Sequence, residues 1–142
     1  MSMEITEDSK ERRQEMTRKI KNFTPHQILI FRKEDCEFSQ PHRKLFLKKG
    51  ASPILVLPSE GILNAQISYQ QIGDDPPIFL PITKSCDLLP EGDDYIVVSA
   101  LFVSAMKILR QDTSRLLTVS QAVYENPENP RPIGCLGFNL NP

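Results

Sequence analysis

The hydrophobic pattern of this chain changes period at Ser99. Upstream, Tyr95, Ile96, Val97 and Val98 form a β-branched run suited to a strand that enters the core. Downstream, Leu101, Phe102, Ala105, Ile108 and Leu109 recur at spacings of three and four, which predicts a helix over Ala100 to Arg110. Ser99 is placed to cap its first turn, and Arg110 at its far end complements the helix dipole. The apolar residues elsewhere come in short runs between turn formers. One helix among many short strands makes this an α+β chain.

The strands can be placed from their punctuation. Ile28 to Phe31 follows a Pro-His pair, and Lys44 to Lys48 and Ile54 to Leu57 are short runs separated by Gly50, Ser52 and Pro53. Ile62 to Tyr69 alternates apolar with polar residues, and Gly73, Asp74, Asp75, Pro76 and Pro77 then force a turn. Ile78 to Ile82 contains Pro81, which cannot donate to a central ladder, so it is expected at the edge where the sheet ends. Leu116 to Val119 and Ala122 to Tyr124 read as two further strands, and three prolines make Asn126 to Pro132 a loop. In Ile133 to Phe138 two glycines alternate with apolar residues, as in a strand that closely approaches another backbone. The expected architecture is a mostly antiparallel, strongly curved sheet or small open barrel with one packed helix. It would occupy residues 22–142, behind a charged arm over Met1 to Lys21.

Charge narrows the partners. Seventeen basic against eighteen acidic side chains leave no global field to attract extended nucleic acid. The longest apolar run, Ile96 to Met106, is about half of a membrane span, and the first twenty residues are charged, unlike a secretory signal. Cys36, Cys86 and Cys135 are odd in number and lack a CxxC pair, which fits a reducing cytoplasm. With only His26 and His42 beside them, no zinc spacing is present, and no Gly-rich phosphate loop joins a strand to a helix. No metal or cofactor is therefore expected.

Five blocks of this punctuation fall in a distinctive order. They are Asn22-Phe23-Thr24-Pro25-His26, Leu57-Pro58-Ser59-Glu60-Gly61, Leu89-Pro90-Glu91 with Tyr95-Ile96-Val97-Val98-Ser99, Arg110-Gln111-Asp112, and Ile133-Gly134-Cys135-Leu136-Gly137-Phe138. In this order the chain resembles a family of small uncharacterised proteins of bacteria and their phages that begin with an Asn-Leu-Thr-Pro-His motif. The likeness spans Asn22 to Phe138 and carries no assigned activity. Phe23 stands where that pattern has Leu, and Gln66 where it usually has Arg.

The blocks contain the residues to suspect. His26 is held at a strand entrance by a turn that Thr24 or Asn22 can fix through nearby amides, and Arg110 and Asp112 leave the helix together, either as a tether or to meet an anion. Ser99 adds the amides of a helix N-terminus. Thr24, His26, Ser99, Arg110 and Asp112 thus suggest a binding protein for a small polar or anionic molecule, nucleotide-derived ligands included. A hydrolase or transferase would instead use His26 with Asp112, or Cys135 activated by His26. In a structural or interaction protein, the same residues would only fix turns and the arm would meet a partner. Short apolar strands and a length of 142 residues also permit a homodimer that buries a sheet edge. The ligand site requires His26 to converge with Arg110 and Asp112 on one concave surface.

Overall fold

The computed structural model describes residues 19–142. The rest of the expected charged arm, residues 1–18, lies outside the described residues. In chain order the elements are β1 (Ile20–Asn22), β2 (Ile28–Ile30), β3 (Cys36–Ser39), β4 (Lys44–Leu47), β5 (Leu55–Leu57), β6 (Ala65–Asp74) and β7 (Pro77–Cys86). They continue with β8 (Tyr95–Val97), helix α1 (Ala100–Ile108), β9 (Leu116–Tyr124) and β10 (Gly134–Leu140). The sheet takes in Ile20 and Lys21, two residues before the expected boundary, because they pair with Tyr95 and Ile96.

The main sheet runs β1-β8-β9-β10-β2-β5, with β4 joined to the far end of β9 and β3 to β4. It is a curved, nearly closed barrel with an unsealed seam between β1 and β5. The antiparallel pairs β9–β10, β2–β5, β3–β4 and β6–β7 contain most of the paired positions. The pairs β1–β8, β8–β9, β2–β10 and β4–β9 are parallel. β6 and β7 pair only with each other, as a two-stranded ribbon separate from that sheet.

Strand β8 is buried on both faces, as expected of a strand in parallel surroundings. Ile96 and Val98 meet Phe102, Val103, Met106 and Leu116 beneath α1. Val97 points the other way, against Ile28, Ile30, Leu117 and Cys135 inside the barrel. The expected helix is present, and the Ser99 hydroxyl accepts from the Phe102 amide at 3.2 Å. It ends two residues earlier than the pattern predicts. The Arg110 amide donates to the Lys107 carbonyl and the Gln111 amide to the Met106 carbonyl, a Schellman closure with Arg110 left-handed at φ 57°.

The closing strand makes the predicted close approach at Gly134. A Cβ there would overlap the Leu29 carbonyl oxygen and stand 2.7 Å from the Phe31 ring. Gly137 has no such role, with the Ser120 hydroxyl 3.9 Å from the same hypothetical atom. Leu116 to Tyr124 is one strand instead of two, because left-handed Gln121 is absorbed without a shift of register. Strand β3, which the apolar pattern does not mark, is held by pairing with β4.

Candidate functional site

The turn after β1 is built around a buried side chain. Asn22 has no exposed surface, and its carboxamide donates to the carbonyls of His26 at 2.8 Å and Leu57 at 3.1 Å. Its oxygen accepts from the Thr24 amide at 3.0 Å and the Thr24 hydroxyl at 2.6 Å. The Ser59 hydroxyl donates to the Thr24 carbonyl at 2.6 Å, and Gly61 lies against the Phe23 ring. The first two sequence blocks are thereby interlocked. Thr24 is used within this network, while the His26 side chain is exposed and lines a small hollow of about 200 Å³ with Pro132 and Gly134.

Strand direction decides which suspected residues can meet. β1 and β8 are parallel, with Asn22 beside Val97, so Thr24 and Ser99 emerge at the same end of the sheet. Helix α1, about 13 Å long, then carries the chain back, because β9 is again parallel to β8. Arg110 and Asp112 therefore sit at the opposite end, where Ile96 pairs with Leu116. Asp112 lines a different hollow, of about 370 Å³, with Cys86, Asp87, Leu88 and Met106. Neither hollow has lining residues in common with the other. Thr24, His26 and Ser99 are thus separated from Arg110 and Asp112 by the helix that joins them.

The chemistry at the helix end is local. The Ser114 amide donates to Asp112 at 2.9 Å and holds its carboxyl below the usual carboxylate range. No ion pair links Arg110 to Asp112 among the described residues. The 370 Å³ hollow contains the carboxyls of Asp87 and Asp112 and no basic side chain, so it does not suit an anion. Asp87 is itself occupied, accepting from the Asn64 amide at 2.7 Å.

The thiols are poorly suited to nucleophilic work. Cys135 is fully buried, and burial pushes its thiol up. Burial also raises Cys86, with the Asp87 charge acting in the same direction, and raises Cys36. A nucleophilic cysteine needs the opposite shift.

Two structural roles were not legible in the sequence. Asn22 closes β1 onto Leu57, but no local pattern reveals acceptors thirty-five residues away. Arg115 donates to the carbonyls of Asp94 at 3.0 Å and Pro90 at 2.9 Å, fixing the loop before β8. Its place just before a strand offered no distinguishing signal.

The largest unexplained surface is the β6–β7 ribbon. Its base is anchored: Ala65 and Cys86 pack against the core beneath α1, and the Thr83 hydroxyl donates to the Ala105 carbonyl at 3.0 Å. Beyond that base, Tyr69, Ile72, Ile78, Phe79, Leu80 and Ile82 are all exposed, Tyr69 to 65% and Phe79 to 56%. Register places Tyr69, Pro81 and Phe79 on the face that α1 covers at the base, and Ile78, Leu80 and Ile82 on the other. Apolar side chains thus project from both faces of an isolated ribbon. No helix among the described residues is long and apolar enough to cross a membrane.

No protein-family model, curated protein or solved structure matches the chain.

Proposed function

We propose that this chain is a protein-interaction module whose contact element is the β6–β7 ribbon. The single observation behind this reading is the exposure of six large apolar side chains on a ribbon paired with nothing else. A two-stranded ribbon exposed on both faces is marginal in water, and an apolar patch of this kind marks a contact surface. The separation of His26 from Arg110 and Asp112 removes the convergence on which small-molecule binding depended.

The family resemblance, held here as part of the proposal, points the same way. Its blocks contain Asn22, Ser59, Gly61, Ser99 and Gly134, each used to fix a turn, a cap or a close approach. The ribbon lies between the second and third blocks. In this reading the shared blocks maintain a scaffold, and the ribbon is what the scaffold displays.

Native size in extract tests the proposal. The full chain is expected to elute in a species larger than its monomer, and the variant carrying Tyr69→Ser, Phe79→Ser and Leu80→Ser as the monomer. Elution of both as monomers would overturn the interaction reading.

A further inference from the structure

We infer that the ribbon's partner is a second copy of this chain, packed face to face through the Ile78, Leu80 and Ile82 side of β7 about a two-fold axis. This rests on the interaction reading above and goes further by naming the occupant. The first observation is the order of the stripe. Ile78, Leu80 and Ile82 alternate along one strand and point to one face, and their sequence is the same from either end. A two-fold axis through Leu80 sets Leu80 against its own counterpart and Ile78 against Ile82 of the partner subunit. Such self-complementarity is what an isologous contact requires.

Charge supplies the second observation and fixes the direction. From Gln66 to Ser85 the charged residues are Asp74 and Asp75 at the tip and Lys84 at the base, all exposed. Lys84 is the extra residue where the register shifts between Gln66 and Ile67. Leu80 lies near the midpoint between tip and base. Antiparallel ribbons therefore bring the acidic tip of each, Asp74 and Asp75, to the end of the other ribbon that carries Lys84. Parallel ribbons would instead crowd four carboxylates at one end. The middle, where Gln70 and Ser68 oppose Leu80 and Ile82, bears no charge to repel a copy.

Size sets the strength. Ten residues per strand make a face about 34 Å long, and the three apolar side chains on it are 40 to 54% exposed. Two such faces fall at the small end of specific interfaces, where association is weak and reversible. Self-association is therefore expected at micromolar concentrations.

Sedimentation of the purified full chain from 1 to 300 µM tests this. The weight-average mass should rise toward the dimer across that range. Leu80→Asp should weaken association at least about tenfold while leaving the thermal midpoint within a few degrees, because Leu80 is outside the core. Lys84→Asp should also weaken it. The combined variant Asp74→Lys, Asp75→Lys, Lys84→Asp should restore it. A wild-type chain that stays monomeric, or an association indifferent to Leu80→Asp, overturns the second copy as partner. Failure of the charge exchange to restore association overturns the antiparallel arrangement. A monomeric purified chain that still migrates in a larger, ribbon-dependent species in extract would refute self-pairing and leave the interaction reading standing.

Discussion

The buried Asn22 carboxamide donates to the Leu57 carbonyl at 3.1 Å, fastening β1 to β5 across the seam of the barrel. Nearby, the Glu60 amide donates to the Asn22 carbonyl at 2.8 Å, and Asn22 forms a parallel bridge with Ser59. One fully buried side chain therefore satisfies two carbonyls and the Thr24 amide and hydroxyl.

Replacing Asn22 with Leu retains the volume and strands those groups. Leaving buried polar groups unpaired costs about 1–3 kcal/mol each, so Asn22→Leu should lower unfolding stability by about 3 kcal/mol or more. Urea denaturation checks this, and a loss below about 1 kcal/mol would show that the seam closes without the carboxamide.

Gly134 and Gly137 should behave differently although they occupy one strand. A methyl group at Gly134 meets the Leu29 carbonyl and the Phe31 ring, whereas at Gly137 it meets only an ordinary contact. Gly134→Ala should destabilise by about 2–3 kcal/mol, and Gly137→Ala by less than about 1 kcal/mol. Thermal melts of the two variants provide the comparison.

The two ends of α1 give a matched pair of opposite sign. Ser99→Ala removes a cap and should cost about 1 kcal/mol. Arg110→Gly relieves a left-handed residue at φ 57° and should stabilise by up to about 1 kcal/mol. Destabilisation by Arg110→Gly would mean that the guanidinium contributes a contact worth more than the backbone strain.

Thiol accessibility should follow burial. Cys36 and Cys86 are half-buried and should react with an aromatic disulfide near pH 8, while Cys135 should react only as fast as the fold opens. Because burial raises the folded-state Cys135 pKa above its unfolded value, its contribution to stability is present below the ordinary thiol range and is lost as pH rises through it. The urea midpoint should fall from pH 8 to 10, and by less in Cys135→Ala. Equal slopes in the two proteins would contradict this.

Much of the scaffold was legible because local chemistry and tertiary demand agree. The Tyr95–Val97 strand and the helix after it follow directly from β-branching and from three-four spacing, and Ser99 caps as its position indicates. Cys36 to Ser39 is not legible as a strand because this short mixed segment becomes β3 only through the ladder to Lys44 to Leu47. Pro81 correctly marked an edge, but nothing local shows that β6 and β7 leave the main sheet together. The candidate ligand residues do not converge, for a topological reason. Block order does not tell which blocks meet in space, and the parallel β8-α1-β9 crossover puts Ser99 and Asp112 at opposite ends of a helix.

Radical footprinting in expressing cells, with the dilute purified chain as reference, tests the role of the ribbon most directly. Oxidation of Ile78, Leu80 and Ile82 should fall several-fold in cells, while exposed Leu88, outside the ribbon, is unchanged. Equal oxidation of Ile78, Leu80 and Ile82 in the two settings would show that this face of the ribbon meets solvent in the cell and would contradict its role as a contact surface.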